Sequence, residues 1–118
     1  MPPPLPSSPP SPAIGQSLDL QAITQRIVEH FEPRRIVLFG SQARGDDTRD
    51  SDLDLFIEMD TDRRPPERAA AVAALFGLRP WSLDVIVYTP SEVERLGGRP
   101  GTLLGHIEAE GRVLYERI

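Results

Sequence analysis

The sequence contains no cysteine, which excludes disulfide bonds and metal sites built on thiolates. Lysine is missing as well, so all 13 residues counted as lysine or arginine are arginines. A P-loop holds its phosphates with a lysine, and Walker-type phosphate binding is therefore excluded. Any cationic side chain that meets a phosphate in this protein has to be an arginine.

Long hydrophobic runs are also absent, since no stretch approaches the roughly 18 consecutive apolar residues of a membrane span. The first residues, Met1-Pro-Pro-Pro-Leu-Pro, have neither the basic nor the apolar region of a secretory signal. We therefore expect no membrane association and a cytoplasmic location. The net charge of −5 argues against direct binding of nucleic acid, because proteins that bind a phosphate backbone carry a basic face.

Proline is concentrated at the start, where it supplies seven of the first twelve residues, and no charged residue precedes Asp19. This composition predicts a disordered or polyproline tail over residues 1–16. The remaining residues, 17–118, are enough for one modest hydrophobic core, and we expect them to form a single domain.

Hydrophobic periodicity divides this domain into helices and strands. Helical spacing predicts a first helix that begins at Ser17, as N-cap, and ends at Pro33. The capping-box spacing from Thr89 to Glu92 predicts another, short helix that ends at Gly97. The patterns predict further helices over 65–76 and 103–110, and strands over 36–39, 53–59, 83–88 and 112–115, the last at an edge.

The lengths of the connections predict how the strands are arranged. The connection between the first two strands is too short for a long crossover, so we expect them to be antiparallel. The alanine-rich helix joins the second strand to the third, which favours parallel neighbours. The fold class is thus α/β (α+β): one domain with a small mixed sheet flanked by helices.

Three aspartates are expected to meet at one end of this sheet. Alternation places Asp52 and Asp54 on the same face of the second strand, where their charges repel unless a cation lies between them. Asp84 lies on the third strand, on the face opposite its aliphatic residues. Taken singly, Asp52 could cap a turn and Asp84 could be an ordinary strand residue. Together they favour a site for Mg²⁺, which prefers carboxylate oxygens and leaves positions open for substrate phosphates.

The spacing of these residues resembles a known family. Gly40-Ser41, ten intervening residues and then Asp52-x-Asp54 resemble the signature of the DNA polymerase beta-type nucleotidyltransferase superfamily. The fuller strings, Gly40-Ser-Gln-Ala-Arg-Gly45 and Ser51-Asp-Leu-Asp-Leu55, are similar to the minimal nucleotidyltransferase branch. Members of that branch are the antitoxin partners of HEPN-domain toxins.

The resemblance implies a role for each matching residue. Asp52 and Asp54 would hold two Mg²⁺ ions on the triphosphate of ATP, and Asp84 would bind metal and help to deprotonate the incoming hydroxyl. Ser41 and the backbone N–H groups after Gly40 would hold the outgoing phosphates. Arg44 is a candidate phosphate contact, with a solvated arginine on a helix face as the alternative.

The resemblance also implies a function. The chain would transfer AMP from ATP to a tyrosine hydroxyl of a HEPN-type toxin, with which it would form a hetero-oligomer. Two alternatives stay open from the sequence: a nucleotidyltransferase that modifies small molecules such as antibiotics, and a non-catalytic antitoxin that acts by binding alone.

Overall fold

The computed structural model describes residues 19–40, 52–77, 82–97 and 99–117, except for the side chain of Asp52. This part of the chain contains four helices and four strands, which confirms the predicted α+β class. In chain order the elements are α1 (Leu20–Phe31), β1 (Arg35–Phe39), β2 (Asp52–Glu58), α2 (Pro65–Ala74), β3 (Ser82–Tyr88), α3 (Pro90–Leu96), α4 (Leu103–Glu110) and β4 (Arg112–Glu116).

The four strands form one mixed sheet in the order β3-β2-β1-β4. β1 is antiparallel to β2, and β2 is parallel to β3, as the connection lengths predict. β4 pairs antiparallel with the other side of β1, with a register shift between Ile36 and Val37, and so forms the predicted edge strand. Each strand therefore occupies the place that its connections allow.

One face of the sheet packs against α1 and α2. The alternation along β2 directs Leu53, Leu55 and Ile57 to this face, and each is at most 1% exposed. The buried cluster consists of Ile23, Ile27, Ile36, Leu38, Leu53, Leu55, Ile57, Met59, Val72 and Val87. This cluster is the main hydrophobic core, and it leaves the other residues of β2 to the opposite face.

The opposite face carries a smaller apolar cluster, in which Leu104 and Ile107 of α4 cover Val37 and Phe56. Val93 of α3 packs against the same cluster. Along β2 this face changes from apolar at Phe56 to acidic at its amino end. The candidate site lies at the amino end of β2, on the same face of the sheet as this smaller apolar cluster.

Most helices begin at residues whose side chains cap them, and their ends differ from the predicted ones by only a few residues. The N-cap of α1 is Asp19, whose carboxylate accepts a hydrogen bond from the Ala22 N–H (3.0 Å), rather than Ser17, which lies outside the described residues. Helix α2 ends at Ala74, two residues earlier than the predicted Phe76. The capping box of α3 is confirmed: the Thr89 hydroxyl accepts from the Glu92 N–H, and the Glu92 carboxylate accepts from the Thr89 N–H.

The predicted tail, residues 1–16, lies outside the described residues, so the boundary at residue 17 stays a prediction. The described helices are short, with 12 residues in α1, and none of them is long and apolar enough to cross a membrane. The cytoplasmic location likewise stays a prediction.

A buried ion pair, which the sequence patterns did not predict, joins α2 to α3. The Arg68 guanidinium donates to the Glu92 carboxylate at 2.7 Å, and it also donates to the carbonyl oxygens of Val87 and Arg63. The Arg68 side chain is only 8% exposed. Hydrogen bonding from Arg68, helped by the Thr89 N–H, lowers the pKa of Glu92. The pair therefore fixes α3 against the end of β3.

The charge of Glu92 is expected to make the stability of the wild-type chain depend on pH in a predictable direction. Because the pKa of Glu92 is lower in the folded chain than in the unfolded chain, its stabilising contribution is present at neutral pH and disappears as the pH falls through the lowered pKa. Glu92→Gln should therefore reduce the free energy of unfolding at pH 7 by about 1–2 kcal/mol. The difference from wild type should shrink in acid.

Urea unfolding at several pH values measures this effect. Glu94→Gln is the matched control, since Glu94 is an exposed glutamate of the same helix. A difference between wild type and Glu92→Gln that stays constant from pH 7 into acid would contradict the expected role of the Glu92 charge.

Candidate active site

The register of β2 and β3 brings two of the predicted aspartates together. Asp54 lies directly beside Asp84 in the parallel pair, and Phe39 of β1 lies on the other side of Asp54. Neighbouring strands are about 4.8 Å apart, and residues in register share a face of the sheet. Asp54 and Asp84 are therefore adjacent carboxylates on the face opposite the main core.

Both carboxylates can be reached from solvent. Asp84 is exposed and Asp54 is half-buried, whereas Leu53 and Leu55, the neighbours of Asp54 in β2, are 1% and 0% exposed. The alternation of the strand explains the contrast, because it directs the leucines into the core and the aspartates to the opposite face. The site is thus open on a rigid, well-packed strand.

Gly40 brings the end of β1 against Asp54. The glycine has φ +79°, in the left-handed region that other residues rarely adopt. A Cβ atom placed on Gly40 would collide with Oδ2 of Asp54. Only a glycine therefore allows the backbone to turn at this point while the Asp54 carboxylate keeps its position.

The structure thus brings together Gly40, Asp54 and Asp84. The backbone of Asp52 opens β2 beside Ser82, but the side chain of Asp52 is outside the described part of the structure. Ser41 and Arg44 also lie outside the described residues, and their predicted roles stay predictions.

Ser82 is a residue that the sequence reasoning missed. It is exposed, lies beside Asp52 in register and is two residues from Asp84, so it shares the face of the aspartates. The alternation of β3 gave the signal, because it places residues 82 and 84 on one face. Its hydroxyl lies at the border of the candidate site.

The donor set at this site fits a hard divalent cation. Asp54 and Asp84 offer carboxylate oxygens from adjacent strands, and two like charges in register repel unless a cation compensates them. The described side chains contain no group of three or more histidines, cysteines, aspartates or glutamates with the geometry of a metal site. The third predicted carboxylate, Asp52, is not among those side chains.

Another charged cluster lies at the opposite end of β1 and β2 and serves the fold. The Arg35 guanidinium contacts Glu58 at 3.1 Å and Glu108 of α4 at 3.4 Å. It also stacks over the ring of Phe56, 5.4 Å from the ring centre. These contacts fasten α4 to the sheet, and the cluster is separate from the aspartates.

A family match gives the class of protein to which this fold belongs. The nucleotidyltransferase domain family matches residues 20–117, and the chain belongs to this family. The predicted activity, nucleotidyl transfer, is thereby confirmed at the level of the family.

Comparison with solved structures agrees with the family on the fold. One crystal structure is that of a Sulfolobus solfataricus protein described by inference as a nucleotidyltransferase. It superposes on this chain with a TM-score of 0.55 and is 22% identical in sequence. The match covers 82% of this chain and 77% of that one. No functionally curated protein matches the sequence. The finer details of substrate and partner therefore rest on this chain's own residues.

Proposed function

We propose that this chain is a Mg²⁺-dependent nucleotidyltransferase that moves AMP from ATP to a tyrosine hydroxyl of a protein. The observation that carries the proposal is the register of Asp54 beside Asp84, with the backbone of Gly40 closed against Asp54. A bound Mg²⁺ would neutralise the triphosphate and stabilise the charge that develops during transfer. Asp52, Asp54 and Asp84 are the proposed ligands of two such ions.

The remaining residues of the site position the two reactants. Ser41 and the N–H groups after Gly40 hold the phosphates that leave as pyrophosphate. Arg44 either contacts these phosphates or is a solvated arginine. The exposed Asp84 carboxylate accepts the proton of the incoming phenol, because a phenol with an ordinary pKa near 10 is a poor nucleophile while protonated.

The atoms of the proposed reaction balance without a further reactant. The tyrosine oxygen forms a bond to the α-phosphorus of ATP, while the bond from that phosphorus to the bridging oxygen of the β-phosphate breaks. The phenolic proton passes to Asp84, and pyrophosphate leaves with the electron pair. The products are an adenylylated tyrosine and pyrophosphate.

A HEPN-type toxin is the proposed acceptor. This part of the proposal rests on the resemblance of the segments 40–45 and 51–55 to the minimal nucleotidyltransferase branch. Adenylylation would silence the toxin within a hetero-oligomer, so the chain would act as an antitoxin. A small-molecule acceptor and neutralisation by binding alone are the competing outcomes of the experiments below.

Metal-dependent nucleotide binding is the first expected result. Calorimetry should detect ATP binding in the presence of Mg²⁺ or Mn²⁺, and EDTA should abolish it. Asp54→Asn should weaken ATP binding at least about tenfold, because a charged ligand becomes a neutral amide. The same titration with GTP, CTP and UTP identifies the preferred nucleotide.

Asp60→Asn is the matched control for this variant, since Asp60 is an exposed aspartate two residues beyond β2. It should bind Mg·ATP as wild type does. Equal affinity for ATP with and without EDTA would refute the proposed metal site, whatever the acceptor.

A further inference from the structure

The outer edge of β3 is the feature of the structure from which a further inference can be drawn. β3 is the last strand of the sheet on the side of Asp84, and no strand among the described residues pairs with its outer edge. An edge strand offers a row of backbone N–H and C=O groups to any extended chain that approaches it. Its sequence, Ser-Leu-Asp-Val-Ile-Val-Tyr, favours strand pairing.

The direction of the backbone groups along β3 follows from one hydrogen bond. The Tyr88 carbonyl accepts from the Met59 N–H at 3.0 Å, so the backbone groups of Tyr88 point inward, toward β2. Because these directions alternate along a strand, the groups of Asp84 also point inward. Those of Leu83, Val85 and Val87 point outward.

Arg68 closes one end of this edge. Its guanidinium donates to the outward carbonyl of Val87 at 3.2 Å, and the Arg68–Glu92 ion pair holds it there. The open part of the edge is therefore centred on Leu83 and Val85. The exposed side chain of Asp84 lies between these two residues, on the face of the candidate site.

We propose that the acceptor polypeptide binds as an extended segment, antiparallel to β3, along the edge formed by Leu83 and Val85. This inference rests on the proposed function and adds to it how the acceptor is recognised. The residue opposite Asp84 forms a non-hydrogen-bonded pair with it, in which side chains come closest, with Cα atoms about 4.5 Å apart. A tyrosine at that place projects its side chain onto the same face as Asp84.

The charge of Asp84 favours such an acceptor over a second copy of this chain. In the symmetric antiparallel pair in which Leu83 hydrogen-bonds with Val85 of the other copy, Asp84 lies opposite Asp84 of the other copy. A register shifted toward Val87 would need the Val87 carbonyl, which already accepts from Arg68. Like charges directly opposite each other are destabilising. A segment with a neutral hydroxyl residue opposite Asp84 has no such repulsion, and it delivers the group that the reaction consumes.

A synthetic peptide tests the geometry directly. The probe is the capped pentapeptide Thr-Val-Tyr-Val-Thr, whose two valines would exchange hydrogen bonds with β3 while the amide of the central tyrosine faces away. One methylated form carries N-methyl groups on both valines. The matched control carries them on the tyrosine and on the last threonine, so that both forms have the same number of methyl groups.

We expect a definite ranking of the three peptides by their affinity for the chain. The unmethylated and control peptides should bind with affinities within about threefold of each other, and methylation of the valines should weaken binding at least about tenfold, because two hydrogen bonds are lost. The unmethylated peptide should also slow amide hydrogen exchange at Leu83 and Val85. With Mg·ATP, adenylylation of the tyrosine should follow the same order.

A variant of the chain gives a second test. Val85→Pro removes an outward N–H and leaves the ladder with β2 intact, so ATP binding should persist while peptide binding falls. Binding of the peptide needs no nucleotide, so this result stands or falls separately from the proposed transferase activity. Equal binding of the two methylated peptides would overturn the inference, as would a wild-type dimer that Val85→Pro dissociates.

Discussion

Gly40→Ala is expected to lower the rate of nucleotidyl transfer at least about a hundredfold. The added Cβ would collide with Oδ2 of Asp54, so the carboxylate has to rotate away. Rotation relieves the collision at little cost in packing, because the colliding atom is at the end of the side chain. It also removes the carboxylate from its place beside Asp84, and the metal ligands that the proposal requires are then separated.

Backbone strain at Gly40 has to be distinguished from displacement of Asp54, and the chain offers a close control. Gly101 has φ +86°, near the +79° of Gly40, but a Cβ added there meets nothing within 4 Å. Gly101→Ala therefore carries a similar backbone strain, about 1–2 kcal/mol, without a collision. The two variants should be destabilised to a similar degree, and only Gly40→Ala should lose activity.

Thermal or urea unfolding gives the stability of both variants, and calorimetry with Mg·ATP gives their affinity for the nucleotide. We expect Gly101→Ala to bind ATP as wild type does and Gly40→Ala to bind it at least about tenfold more weakly. Normal binding and transfer by Gly40→Ala would show that the position of the Asp54 carboxylate is unimportant.

Much of the sheet could be predicted from local patterns. The alternation over 53–59 fixed which residues of β2 face the core, since a strand has a period of two. The short connection after Phe39 and the helical crossover after Met59 fixed the directions of the strands. The alternation and the strand directions together place Asp54 and Asp84 on one face of neighbouring strands. The exact register of β2 against β3 required the structure.

The parts that escaped prediction depend on contacts between distant segments. Arg68 and Glu92 are 24 residues apart, and no spacing rule connects an arginine of one helix to a capping glutamate of another. The closeness of Gly40 to Asp54 is of the same kind, because the motif shows a glycine but not the atom that excludes a side chain. The N-cap differed for a simpler reason: Ser17 and Asp19 both cap helices well, and the local sequence does not separate them.

Asp84→Asn is expected to separate nucleotide binding from chemistry. Asparagine has nearly the same shape as aspartate, and Asp84 is exposed, so the fold should lose less than about 0.5 kcal/mol. ATP should still bind with a modest loss, because Asp52 and Asp54 remain. The neutral amide cannot accept the proton of the attacking phenol, and loss of a general base typically slows a reaction about 10²- to 10⁴-fold.

The decisive measurement is the intact mass of the acceptor. A HEPN-type partner incubated with wild type and Mg·ATP should gain one adenylyl group for each transfer, and with Asp84→Asn it should gain none on the same timescale. Ser82→Ala, on the same face of β3, is the control for a change near the site that leaves every carboxylate in place.

If wild type and Asp84→Asn silence the partner equally well with no change in mass, neutralisation occurs by binding, and the proposed transfer to tyrosine has to be abandoned. If wild type instead modifies a small hydroxyl compound and leaves the partner unchanged, the chemistry at Asp84 stands and the acceptor is of a different class.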